Sequence, residues 1–102
     1  MNTTIKIESK KQGNGLEIIL EGHLDTTSAP QLEETLKRDL LGIKSLTFEF
    51  IALDYISSAG LRVLLSSQKV MNKQGKMVIR NANDVVKEVF DMTGFSDILT
   101  LE

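Results

Sequence analysis

Cysteine is absent from this 102-residue chain, and histidine occurs once, at His23. The first absence excludes disulfides, thiolate catalysis and cysteine-based zinc sites. The second excludes a multi-histidine metal centre. Tryptophan is missing, and one tyrosine with four phenylalanines is too few aromatics for a base-stacking surface. A charge excess is also lacking. Twelve basic residues face 14 acidic ones, a formal net charge of −2, and no basic stripe suited to nucleic acid is present. No apolar run approaches the ~18 residues of a membrane span. The charged, alternating start MNTTIKIESKK reads as neither a signal peptide nor an anchor. What remains is a small soluble domain, expected in the cytoplasm as a monomer, with no metal and no cofactor. A chain of this length fits one domain, residues 1–102, and buries enough surface to fold without staples.

The chain alternates strand-like and helix-like segments. TIKIES (4–9) and GLEIIL (15–20) are β-like, and the Lys, Gln, Gly and Asn of 10–15 read as a hairpin turn between them. Residues 28–41 are helical, with Ala29, Leu32, Leu36 and Leu40 in one stripe. Ser28 with Gln31 fits a capping box, Pro30 suits the first turn, and Gly42 closes the helix. SLTFEFI (45–51) is a strand with Leu46, Phe48 and Phe50 on one face. A second helix is expected over 58–73, packing through Leu61, Leu64, Leu65 and Met71, with Gly75 as its C-cap. KMVIRN (76–81) is a strand, and 84–94 a helix carrying Val85, Val86, Val89 and Phe90. DILTLE (97–102) reads as a last short strand. The order β-β-α-β-α-β-α-β predicts an α/β fold: a mixed, mostly parallel sheet headed by a hairpin, with packed helices.

The stretch LDYISSAGLRVLL (53–65) carries the functional question. Ser57 and Ser58 fall between the strand at 45–51 and the helix at 58–73. In an α/β sheet the loop leaving a strand's C-terminal end is the usual place for a functional group. One serine can serve as N-cap; a cap does not need two. A nucleophile does not fit, because ISSAG is not the G-x-S-x-G elbow and only His23 is available as a histidine base. A phosphate-cradling loop does not fit either, since one glycine with no following lysine is not a P-loop. A phosphorylation switch does fit. A phosphoserine at a helix start is accommodated by the free N–H groups there, while the surface gains about −1.5 to −2 charges.

LTFEFIALDYISSAGLRVLL resembles the signature of the STAS family, the sulphate-transporter and anti-sigma-factor-antagonist domain. GHLDTTSAPQLEETL (22–36) is similar to the family's Gly-x-Leu-Asp segment and first helix. KQGKMVIRNANDVVKEVFDMTGFSDIL (73–99) is similar to its closing region. The resemblance implies a non-enzymatic anti-sigma factor antagonist. By the same resemblance Ser58, two residues before Gly60-Leu61, is the phosphoacceptor. Its implied partners are a serine kinase that doubles as the anti-sigma factor and a metal-dependent serine phosphatase. The unphosphorylated domain would bind the kinase and free its sigma factor. Two substitutions depart from the family pattern: Ser57 stands where many antagonists have Asp, and Glu49 where the family often has Asp. The chain also ends sooner than many members, which add a further helix.

Asp25 is expected beside the Ser58 loop, as a turn or cap residue or as a partner contact that opposes a phosphate. The partner-binding set is therefore Asp25, Ser57, Ser58, Ala59, Gly60 and Arg62. Asp54 reads as a loop charge, His23 as a strand-end residue, Thr26 and Thr27 as residues at the helix start, and Met71, Met77 and Met92 as core fillers. A rival reading makes the chain an accessory STAS subunit of a membrane lipid-transport complex of the ABC type, docking a permease or ATPase through the same serine region.

Overall fold

The computed structural model describes residues 5–102. Strands β1 (Ile5–Gln12) and β2 (Gly15–Leu24) form the predicted hairpin, with Gly13 at φ 61° in its turn. Helix α1 (Ala29–Asp39) then crosses to β3 (Ser45–Ile56), and α2 (Ser58–Gln74) crosses to β4 (Lys76–Arg80). Both crossovers join parallel neighbours in a four-stranded sheet of order β1-β2-β3-β4. They step in the same direction, so the right-handed rule places α1 and α2 on one face of the sheet. Helix α3 (Asp84–Thr93) follows β4 and adds Val86 and Phe90 to the core. The other face is open. Alternation leaves Lys6, Glu8, Glu17, Glu21, Thr47, Glu49 and Val78 on it, while Leu16, Ile18, Leu20, Leu46, Phe48, Phe50, Met77 and Ile79 point to the helices and are buried.

The sequence expectations and the structure differ at several places, each with a physical reason. Thr4, the first residue of the expected strand 4–9, lies outside the described residues. Strand β3 does not end at Ile51 but runs to Ile56. Its register against β2 slips twice: Ile19 pairs with Glu49 but Glu21 with Ala52, and Gly22 with Leu53 but His23 with Tyr55. Each slip is a bulge that inserts one extra residue in β3. Inward positions therefore step by three, from Phe50 to Leu53 to Ile56, and period-two reading loses the strand. The first bulge leaves Ile51 70% exposed, and its N–H donates to Glu49 Oε2 at 3.2 Å.

The expected strand at 97–102 is absent. Phe95–Asp97 form a 3₁₀ turn after Gly94, and only Leu101 bridges to Ile79, through Ile79 N to Thr100 O (2.9 Å) and Glu102 N to Ile79 O (2.8 Å). Val85 is 55% exposed rather than a core contact, because Asn83 caps α3 in a phase that turns Val86 and Phe90 inward. Met92 is 78% exposed on the same helix and fills no core, whereas Met71 and Met77 are buried. Leu65 is half-buried, and Val63 takes the buried position on α2.

Candidate functional site

The parallel pairing of β2 and β3 assembles the site. Leu24 pairs with Ile56, and Ser57 N donates to Leu24 O at 2.9 Å, so the two strands end level. Asp25 and Ser57, thirty-two positions apart in the chain, therefore leave adjacent strand ends together. Ser57 is extended (ψ 178°) and forms the N-cap position of α2; a single residue separates strand from helix. Its hydroxyl makes no capping bond, and Ser57 Oγ is buried without a hydrogen-bond partner. Ser58, the first helical residue, is exposed, and Leu61 N donates to Ser57 O to begin the helix ladder. The two serines thus differ: one hydroxyl is sequestered and the other faces solvent.

Gly60 explains how the helix comes so close to the strand ends. A Cβ there would lie 2.8 Å from both Ile56 Cγ1 and Leu24 Cγ. Only glycine lets the first turn of α2 settle on the ends of β2 and β3, which holds Ser58 at the rim. Ala59 is half-buried beside it, and Arg62 is exposed one turn further along.

The Asp25 loop is tightly bonded. Asp25 Oδ1 accepts from Thr27 Oγ1 (2.7 Å), Thr27 N (2.9 Å) and Ser28 N (3.2 Å). The Thr27 hydroxyl is the main cause that holds the Asp25 carboxyl below its ordinary pKa, with the backbone N–H groups of Thr27 and Ser28 adding to it. Asp25 is half-buried and organises the turn into α1. The capping box expected from Ser28 and Gln31 is not formed. Ser28 is fully buried, its Oγ donates to His23 O (2.7 Å) and accepts from Asp25 N (2.9 Å), and it makes no side-chain cap bond. His23 sits near the end of β2, edge-on to Tyr55 with ring centroids 6.3 Å apart. Asp54 is exposed in β3, at the second bulge rather than in a loop.

A shallow groove of about 350 Å³ adjoins Ser58, lined by Thr26, Ala29, Pro30, Glu33, Ala59, Arg62, Val63 and Ser66. It places the start of α1 beside the first turns of α2, and brings Arg62 near the Asp25 loop. The sequence marked Pro30 only as a first-turn residue and gave Glu33 and Ser66 no signal, because only the packing of α1 on α2 brings Pro30 and Glu33 across the groove from Ala59, Arg62 and Ser66. Among the described residues, no group of three acidic or histidine side chains is arranged to hold a metal ion, and no helix is long and apolar enough to cross a membrane.

The STAS domain profile matches residues 6–102, nearly the whole chain. The chain belongs to the STAS domain family. It is 35% identical over 96 residues to BtrV of Bordetella bronchiseptica, which is provisionally named an anti-sigma factor antagonist, covering 92% of this chain and 83% of that one. It is 29% identical over 98 residues to the anti-sigma-B factor antagonist of Bacillus subtilis, covering 95% and 90%. The fold superposes on the crystal structure of an anti-sigma factor antagonist from Mycobacterium paratuberculosis with a TM-score of 0.86. There the sequence identity is 17%, and the match covers 95% of this chain and 84% of that one.

Proposed function

We infer that this chain is an anti-sigma factor antagonist, a protein-binding module without enzymatic activity. It works in the cytoplasm and is switched by phosphorylation of Ser58. The observation that carries this reading is the contrast between the two serines in a STAS-family chain: Ser58 is exposed on the first turn of α2, and the Ser57 hydroxyl is buried. A kinase must reach the hydroxyl it modifies, and only Ser58 offers one. Among the described residues no histidine or lysine side chain is hydrogen-bonded to Ser58, which suits an acceptor of a group better than an activated nucleophile. The names of the curated relatives favour this reading over the transport-subunit alternative.

Unmodified, the rim formed by Asp25, Ser57, Ser58, Ala59, Gly60 and Arg62 binds an anti-sigma factor that is also a serine kinase, and so releases the sigma factor. Phosphorylation adds about −1.5 to −2 charges at Ser58. A thousandfold loss of affinity corresponds to about 4.1 kcal/mol. A steric clash together with charge left unpaired across the interface supplies an energy of that order. A serine phosphatase restores binding.

Phosphopeptide mapping after incubation with the cognate kinase and ATP tests the site: phosphate is expected on Ser58 alone. Titration calorimetry tests the switch. Ser58→Ala binds the kinase constitutively, and Ser58→Asp binds it poorly. Phosphate on Ser57 with Ser58 unmodified, or kinase affinity unchanged by phosphorylation, refutes the assignment.

A further inference from the structure

Arg62 stands one turn after Ser58 on α2, so the two side chains share a face with Cβ atoms about 6 Å apart. Helical side chains lean toward the helix N-terminus, which carries the Arg62 guanidinium back over the turn that begins at Ser58. Arg62 is exposed and takes part in none of the ion pairs found among the described residues. The residues three and four positions away on its helix are Ser58, Ala59, Leu65 and Ser66, none of them acidic. Facing it from α1 and the preceding loop are Thr26, Pro30 and Glu33 across the shallow groove. The Glu33 carboxylate is the one competing anion there, and it is not within ion-pair distance of Arg62. The Asp25 oxygen that faces its own loop is already occupied by Thr27 and Ser28.

We propose that Arg62 captures the phosphate of modified Ser58, so that phosphorylation also removes this cation from the partner-facing rim. This rests on Ser58 being the phosphoacceptor. The planar guanidinium presents paired N–H donors that match two phosphate oxygens. Before modification, the rim shows a partner a free cation beside a neutral hydroxyl. After modification it shows a bulky anion whose nearest cation is already engaged. An acidic group of the anti-sigma factor loses its attraction to Arg62 and meets the phosphate in its place. Arg62 is a positioning residue in this device: it fixes where the phosphate sits.

The test uses the full chain with phosphoserine genetically encoded at position 58, so no cognate kinase is needed. The second phosphate ionisation, ordinarily near 6, is followed by phosphorus NMR over a pH titration. In Arg62→Gln this pKa is expected to rise by about half a unit relative to the wild-type phosphoprotein. Arg62→Lys falls between the two, keeping the charge but losing the fork. Lys69→Gln, about 16 Å further along the helix from Ser58, leaves the pKa unchanged. The Arg62 Nε–H resonance shifts on phosphorylation in the wild type. An identical phosphate pKa in wild type and Arg62→Gln overturns the proposal, as does an equal change in Lys69→Gln, which would reveal only a general field. Failure of the functional reading looks different: the phosphoprotein would bind the anti-sigma factor as tightly as the unmodified form, whatever the titration shows.

Discussion

Gly60 and Ser57 show how single residues place the exposed hydroxyl of Ser58. At Gly60 the space for a side chain is already taken by Ile56 and Leu24, both fully buried. Gly60→Ala therefore overpacks the junction, with an expected loss of about 1–3 kcal/mol in urea denaturation. Ser57 behaves oppositely. Its hydroxyl is buried and unpaired, so Ser57→Ala removes no hydrogen bond and relieves a desolvated group. Its stability is expected to stay within about 0.5 kcal/mol of wild type or to rise. Ser28 is the serine whose loss is felt: Ser28→Ala leaves His23 O and Asp25 N without their partner and costs about 1–2 kcal/mol in the same assay. The sequence marked Ser28 as a cap and offered one of Ser57 and Ser58 as another. Neither Ser28 nor Ser57 makes a side-chain cap bond; Ser28 matters through other partners and the Ser57 hydroxyl has none, since the value of a hydroxyl depends on which groups tertiary packing brings within reach.

Among the elements, β3 departs most from what its sequence suggests. Its first half alternates and was legible; its second half advances by threes through two bulges, and only pairing with β2 reveals it as a strand. Beyond Glu49 the strand outruns β4, and polar side chains take over the missing ladder. Asn81 Nδ2 donates to Glu49 Oε2 at 2.9 Å, and Asn83 Nδ2 donates to Leu53 O at 3.1 Å. Asn83 also accepts from Val86 N at 2.8 Å, which caps α3. One side chain thus ties the start of α3 to the strand that leads into the serine junction. Asn83→Ala is expected to cost about 1–2 kcal/mol, more than a surface cap alone, by loss of both bonds. Amide exchange should then accelerate in the first turn of α3; unchanged exchange there would show that the cap is dispensable.

Taken whole, the molecule is a sheet with helices on one face, and its acid sensitivity follows from carboxylates held at its loops and edges. Asp25 is held below its ordinary pKa chiefly by the Thr27 hydroxyl, and Asp39 chiefly by Arg38 and then by the Ser9 hydroxyl, which bonds it at 2.8 Å from β1. Both folded-state values are depressed, so the unfolded chain binds more protons in that range. The stability these groups supply is fully present above the unfolded carboxylate value of ~4 and is lost as pH falls through the folded values. Thermal melts across pH 2 to 6 are expected to show this decline, and Asp25→Asn and Asp39→Asn each to flatten it. A wild-type slope retained in both variants would assign the acid sensitivity to other groups.

Apolar spacing and turn residues made the hairpin, the three helices and the two parallel crossovers legible, the Ser-Ser pair marked the junction, and the family was legible only as a resemblance of three segments in order. Those features are local: they depend on which residues neighbour each other in the chain and with what period. Tertiary structure decided that the Ser57 hydroxyl is sequestered and Ser58 exposed, that Asp25 Oδ1 is bonded within its own loop, and that β3 continues through its bulges. It also decided that the last segment forms a 3₁₀ turn and a single bridge, and that Val85 and Met92 face solvent. Each of these turns on which surface a residue meets across the fold. Neither burial nor the choice of hydrogen-bond partner is fixed until distant segments are brought together.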